Sequence, residues 1–477
     1  MRHHRLGRVP APVRASIRAL QQRLELDDTF PAEVLAQAEE LRRNPPPADR
    51  HADRTDVEFV TIDPPSSMDL DQAIHIERAG DGYLVRYAIA DVGHWIEPGS
   101  PIDVEAHRRG QTLYAPGARI PLHPVALSEG VASLLDDGQP RPAVVFAHHL
   151  DARGEVLETG VERALVRSRA KLDYASVGAD VEAGRAHPSI ALLAEVGRLR
   201  LELERERGGI SLNLPEQEIE ERGDHWELVY RRLGAVEDWN AQISLLTGFQ
   251  AAQRQLDAGV GILRTLPPAD AESVSRLRRA AATIGVPWPD GESYPHFVRR
   301  LDPGNPRELA VLMQCTRLFR GAGYVAFTDG APDEPPGHAA LAAHYAHSTA
   351  PLRRLVDRYV LEICVAHAAG QPVPQWVVDA LPTLPSTMAE SGRHASAYER
   401  GVMDLAEALV LQRFRGQTLE GVLVDVNPRT GRGTVQIADP AVELAVRARK
   451  EHVGRRIVVR IDRVDVERGE VGLTRVS

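Results

Sequence analysis

Three carboxylates, Asp63, Asp69 and Asp71, fall within nine residues of the stretch TIDPPSSMDLDQ at 61–72. Hard oxygen donors brought together in this way suit Mg²⁺ or Mn²⁺, which take carboxylates and keep positions open for phosphate and water. A cation so held can activate water, offset charge on a scissile phosphate and, as one of a pair, clamp attacking and leaving oxygens. The flanking residues must aim the cluster. The run 57–62, VEFVTI, is rich in β-branched and aromatic residues and predicts a strand. Pro64 and Pro65 end it. Asp69 and Asp71 are two apart, so in an extended segment both point to one side, with Asp63 across the loop. Spacing alone serves an acidic surface turn equally well.

The wider sequence removes that ambiguity. TIDPPSSMDLDQA resembles the catalytic signature of the RNB domain, found in the RNase II and RNase R family: roughly T-I-D, a short loop, then D-x-D-D-A. Further blocks resemble the family in the same order. They are 87–134 (YAIADVGHWIEP through SEGVASL), RGGISLNLPEQE at 207–218, AVEDWNAQISLLTG at 235–248, HYAHSTAPLRRLVDRYV at 344–360, and the surroundings of Tyr398, Glu399 and Arg400. Collinear blocks spread over roughly 30–405 are far more specific than one acidic cluster. The resemblance implies a Mg²⁺-dependent hydrolytic exoribonuclease that acts 3′→5′ on single-stranded RNA and releases nucleoside 5′-monophosphates. It implies Asp63, Asp69 and Asp71 as metal ligands, with Asp71 indispensable to catalysis. It makes Arg353 a contact of the scissile phosphate, with Arg354 beside it on the RNA, and Glu399 a catalytic residue. Tyr114 matches the tyrosine that stacks on the 3′-terminal base, a contact tolerant of sequence.

One departure stands out. The family usually carries a fourth Asp where this chain has Gln72. A Gln carbonyl is a neutral ligand, so Mg²⁺ is expected to be held more weakly, with Mn²⁺ as a possible substitute. The alternative reading is an RNA-binding protein of the same family with weakened or lost catalysis.

Read without the resemblance, the same residues are less telling. Ser348 or Thr349 can cap a helix, Pro351 suits a first turn, and Arg353 and Arg354 would then project where the helix dipole favours an anion. Arg353 could instead pair with Asp357 at i,i+4 on a solvated face. A tyrosine before a Pro-Gly turn is more often core. His94, His338, His344 and His347 read as structural or surface residues.

Hydropathy and punctuation divide the chain into a helical region at 1–50, a large α+β unit at 51–410 with a mixed sheet surrounded by helices, and a module at 416–477. In the first, Val13, Ile17, Leu20 and Leu24, then Val34, Leu35 and Ala38, have helical spacing. Two helices with a short turn match either a helix-turn-helix or a packing hairpin. In the second, strands are expected at 57–63, 73–77 and 83–91 around the Asp cluster. Helix faces follow at Val236, Trp239, Ile243 and Leu246 and at Leu352, Leu355, Val356, Tyr359 and Ile363. In the third, alternation over Leu419–Val426, Gly433–Ile437, Val442–Val446 and Ile457–Val466 predicts a five-stranded OB barrel. The family's RNA-binding barrel sits here. This copy lacks stacking aromatics, so Arg449, Lys450 and Arg456 become its candidate RNA contacts.

The net charge of −10 argues against a uniformly basic coat but not against a local RNA site. Lys171 and Lys450 are the only lysines. Cys315 and Cys364 lie in apolar contexts and are expected as buried thiols. No apolar run is long enough to span a membrane, and the first residues lack a signal-peptide core. Those features fit a cytoplasmic monomer.

Overall fold

The computed structural model describes residues 11–115, 118–212, 214–222, 225–427 and 429–476. The first ten residues, the side chain of Val13 and the Pro116-Gly117 turn after Tyr114 lie outside the described residues. The predicted strands around the Asp cluster form β2 (Phe59–Ile62), β3 (Gln72–Ala79) and β4 (Gly82–Ala90), preceded by the short β1 (Ala52–Asp53). A small hairpin follows, β5 (Leu113–Ala115) with β6 (Ala118–Ile120). Then come β7 (Arg141–Leu150), β8 (Val156–Val166) and β9 (Ser168–Leu172). All but β5 and β6 join one sheet in the order β1-β8-β7-β4-β3-β2-β9. The pairs β1–β8 and β2–β9 are parallel and the others antiparallel. Only Arg167 separates β8, near one edge, from β9, at the other. That link requires the sheet to curl until its edges approach. Curling brings β9 beside β2, where Leu172 O accepts from Asp63 N at 3.0 Å.

Both faces of the sheet are covered, so β2 and β4 are buried almost throughout. Alternate residues serve different cores. Val60, Ile62, Val85, Tyr87 and Ile89 pack with Ile243 and Leu246 of the helix Ala235–Ala258 and with Val356 and Tyr359 of Leu355–Ala368. Phe59, Ala88 and Ala90 pack instead with Leu70, Trp95, Val34 and Ala38. The two N-terminal helices, Ala11–Arg23 and Ala32–Arg43, dock on separate surfaces. Ile17 and Leu20 of the first are buried, and its Gln21 donates to the Tyr398 hydroxyl of the long helix Leu384–Leu411. The second lies against the helix Pro101–Arg109. No helix among the described residues is long and apolar enough to cross a membrane, and both cysteines are buried free thiols.

The hairpin β10–β11 (Glu216–Arg222 and His225–Arg231) and the antiparallel pair β12–β13 (Gly261–Thr265 and Gly323–Phe327), whose strands are joined through helices, precede the C-terminal module. That module has five strands, β14 (Thr418–Val426), β15 (Arg432–Ile437), β16 (Val442–Arg447), β17 (Arg456–Asp465) and β18 (Glu470–Arg475). Their order is β16-β15-β14-β17-β18, and β16 and β18 approach each other, so the barrel nearly closes. Its core residues Leu423, Val435 and Ile461 are continuous with Tyr398 and Leu405 of helix 384–411.

Glu407 of that helix is the polar joint between the units. Its Oε1 accepts from Gln217 Nε2 at 2.7 Å and from the backbone N of Glu443, on β16, at 2.9 Å. Burial pushes its carboxyl up to about 7; the two hydrogen bonds oppose this, and Asp404 and Glu443 add to it. A carboxyl raised in the folded state penalises folding once ionised. The penalty grows as pH rises from the unfolded carboxyl range through about 7 and is constant above that. Glu407→Gln keeps the accepting oxygen and removes the charge. Urea denaturation is expected to find the variant more stable than wild type at pH 8, with the advantage shrinking toward pH 5. An unchanged difference across that range would contradict the assignment.

Candidate active site

Leu70 organises the Asp cluster. It is fully buried, which turns Asp69 and Asp71 on either side of it the other way. Burying a leucine contributes about 1.5–3 kcal/mol, so the anchor is firm. Ser133 Oγ accepts from Leu70 N and donates to Met68 O, and Leu134 N donates to Leu70 O. Asp71 precedes β3, and its carbonyl accepts from Ala90 N at 2.9 Å. Lys171, on β9, donates Nζ to the carbonyls of Pro65 (2.8 Å) and Ser67, which holds the far side of the loop.

A second segment closes the site. The turn at 350–354 runs antiparallel to 110–112: Thr112 N donates to Arg353 O, Leu355 N donates to Gly110 O, and Gln111 is bridged to Arg354. Gly110 (φ 68°) permits the close approach, because a Cβ there would lie 2.6 Å from Ser391 of helix 384–411. This pairing delivers Arg353 and Tyr114 to the same place. Leu352 N donates to Asp71 Oδ1 at 2.8 Å, and Arg353 Nε faces Asp71 Oδ2 at 3.4 Å. The Tyr114 hydroxyl donates to Asp69 Oδ2 at 3.3 Å, and Arg119 lies 3.2 Å from Asp69 Oδ1 while also pairing with Glu129.

The electrostatics of the cluster are those of crowded, buried acids. Burial holds the Asp71 carboxyl well above its usual range; Arg353 and the Leu352 amide oppose this, and Asp69 and Asp357 add to it. Asp63 is partly accessible yet enclosed by protein on most sides. Burial pushes its carboxyl up to about 6, with Arg353 and Lys171 opposing and Asp69 adding. Burial also raises the Tyr114 hydroxyl.

Among the described residues, no three His, Cys, Asp or Glu side chains close into a metal cage. Asp69 is turned to Tyr114 and Arg119, and Asp71 to Leu352 and Arg353. The donor set still fits Mg²⁺. Mg²⁺ commonly uses one or two carboxylates plus substrate phosphate rather than an all-protein cage, and carboxyls raised by burial are those a cation would stabilise.

Several sequence expectations need correction. The helix does not begin near Pro351: its first residue is Leu355, because Asp357 Oδ1 accepts from Ala350 N and holds 350–354 as a turn. Arg354, expected on the RNA, is half-buried and bidentate to Asp357 at 2.8 and 2.9 Å. That pairing, not an Arg353–Asp357 pair, satisfies Asp357. Gln72, expected as a weak fourth ligand, acts as a brace: its Oε1 accepts from the Tyr87 hydroxyl at 2.8 Å and its Nε2 donates to Thr349 O. On the barrel, Arg449 pairs with Glu451 and Arg456 with Glu420, both exposed. Glu399 lies half-buried on helix 384–411, which backs the strand of Tyr114. His347 is a structural residue, its Nδ1 2.7 Å from the Tyr324 hydroxyl. Lys171, Arg119 and Tyr87 are missed by the sequence reading. Lys171 alone had a signal, as a rare lysine among arginines.

The brace makes the effect of restoring an aspartate testable. Gln72→Asp would shorten the side chain and set a carboxylate against the Thr349 carbonyl. Losing a buried hydrogen bond costs about 1–3 kcal/mol. The variant is expected to be less stable by that order, with no lower Mg²⁺ requirement in an RNA hydrolysis assay. An undiminished stability with a lower requirement would restore Gln72 to the metal.

The RNB domain family model matches residues 51–369, and the RNase II-type exonuclease C-terminal S1 domain matches 417–476. Ribonuclease R 1 of Lactococcus lactis is 26% identical over 429 residues, covering 84% of this chain and 51% of that protein. The ribonuclease R of Chlamydia muridarum is 27% identical over 355 residues, 72% of this chain and 50% of the relative. The chain thus spans about half the length of these curated relatives. Among solved structures, Mycoplasma genitalium RNase R in complex with ribose-methylated single-stranded RNA superposes with a TM-score of 0.86 at 18% identity, covering 98% of this chain and 78% of the other. A yeast pseudonuclease shares the fold with a TM-score of 0.71 at 14% identity, covering 94% and 58%. With the RNB model spanning most of its length, the chain belongs to the RNB-domain family and carries that family's C-terminal S1 barrel.

Proposed function

We propose that this protein is a hydrolytic exoribonuclease that removes nucleotides 3′→5′ from single-stranded RNA with Mg²⁺. The observation that carries the reading is the meeting of Asp63, Asp69, Asp71, Tyr114 and Arg353, drawn from three separate segments, in one enclosed site. Asp63 and Asp71, with Asp69 opposite, would hold the metal. Bound Mg²⁺ supplies Lewis-acid activation of water and offsets charge on the phosphate. Arg353 is the group that turns to substrate: its guanidinium, facing Asp71 in this structure, has the planar fork that suits a phosphate oxygen pair. Tyr114 offers a ring to the terminal base beside Asp69. Lys171 keeps the Asp-bearing loop in place through backbone carbonyls, and Glu399 stays a candidate on the helix behind. The module 416–477 would add RNA affinity.

Gln72 favours a second reading, an RNA binder with little catalysis. One incubation separates the two. Single-stranded RNA labelled at its 3′-terminal nucleotide, mixed with the protein and Mg²⁺, is expected to yield labelled nucleoside 5′-monophosphate from the first turnover, while 5′-labelled RNA shortens gradually. Intact RNA that only shifts on a native gel would select the binder. Release of the 5′ label first would overturn the direction.

A further inference from the structure

Arg119 stands on β6, beside the Asp cluster. One terminal nitrogen of its guanidinium lies 3.2 Å from Asp69 Oδ1. The other pairs with Glu129, on the helical turn Leu127–Val131. Arg119 also lines a recess of about 500 Å³ that Asp28, Glu39, Phe30 and Pro124 share. The guanidinium thus has room to draw back from Asp69, and it keeps an acid partner when it does.

Both oxygens of Asp69 are engaged, Oδ1 by Arg119 and Oδ2 by the Tyr114 hydroxyl. A metal ion that took Asp69 with Arg119 still in place would set two positive charges against one half-buried carboxylate. Away from bulk water that repulsion is strong. The other cations near the cluster have different commitments. Lys171 Nζ is held by the carbonyls of Pro65 and Ser67, and Arg353 faces Asp71. Arg119 differs in having a second carboxylate already in contact.

We propose that Arg119 is the resident counterion of Asp69 and that metal binding transfers it to Glu129. The two residues then set how tightly the site takes its ion: the arginine competes with the metal for Asp69, and the glutamate draws the arginine away. Neither touches the ion, so both are positioning residues that act through Asp69. The inference rests on the metal reading of the Asp cluster and adds a determinant of its affinity.

The test measures Mn²⁺ binding by the full chain without RNA, from the electron paramagnetic resonance signal of the free ion, so it reads the metal and not turnover. Arg119→Gln is expected to bind Mn²⁺ about tenfold more tightly than wild type and Glu129→Gln about tenfold more weakly, an ordinary strength for two linked equilibria. The double variant decides between exchange and simple charge. Where Glu129 acts through Arg119, the double variant binds as tightly as Arg119→Gln alone. Two independent charge effects would add and cancel, and a double variant at wild-type affinity would overturn the exchange. Arg153→Gln makes an equal charge change at an exposed pair with Glu206 and is expected to alter affinity by less than about twofold, because exposed charges are screened. A shift there as large as in Arg119→Gln would also overturn the proposal. Asp71→Asn separates the inference from its foundation. Wild-type affinity in that variant would place the ion outside the Asp cluster and overturn the metal reading. Binding lost there, with unchanged affinity in both Arg119→Gln and Glu129→Gln, would overturn the exchange alone.

Discussion

The architecture turns on one buried carboxylate. Asp71 receives the amide of Leu352 on one oxygen and faces the Arg353 guanidinium with the other, across 281 residues of chain. Leaving a buried hydrogen-bonding group unpaired costs about 1–3 kcal/mol, so the Asp-bearing loop and the 350–354 turn stabilise each other. The curled sheet sets the position of the first. The strand-like pairing of 110–112 with 353–355 sets the second, and helix 384–411 supports it through Ser391 at Gly110.

The surrounding groups divide the work. Lys171 and Gln72 contact backbone carbonyls and fix segments. Arg353 and Tyr114 reach the carboxylates directly. Asp357 and Arg354 neutralise each other beneath the turn, which frees Arg353 from the pairing that spacing alone allowed. At position 72, where the family usually has a fourth carboxylate, the amide donates to Thr349 O, which an ionised carboxylate cannot do.

Much of this was legible from residue order. The strands at 59–62, 72–79 and 82–90 and the C-terminal barrel follow from alternation and turn residues, within a residue or two. The fifth barrel strand, Glu470–Arg475, lacks the strong apolar alternation of the others, so residue order does not reveal it. The helix starts at Leu355 although Ser348, Thr349 and Pro351 look like capping residues, because the tertiary bond from Ala350 to Asp357 overrides them. Adjacency in sequence likewise does not show that Arg354, rather than Arg353, pairs with Asp357. The curl of the sheet depends on contacts between distant segments, and no local pattern encodes it.

The central claim is that Asp71 is needed for chemistry and not only for architecture. Asp71→Asn retains an oxygen for Leu352 N but loses the carboxylate that would hold the proposed metal. Single-turnover hydrolysis of a short single-stranded RNA at saturating Mg²⁺ tests it, alongside binding of a 2′-O-methyl analogue. The account predicts a rate lower by roughly 100-fold or more, the order seen when one charge-stabilising group is removed, with analogue affinity within about threefold of wild type. Turnover close to wild type in a folded variant would contradict it.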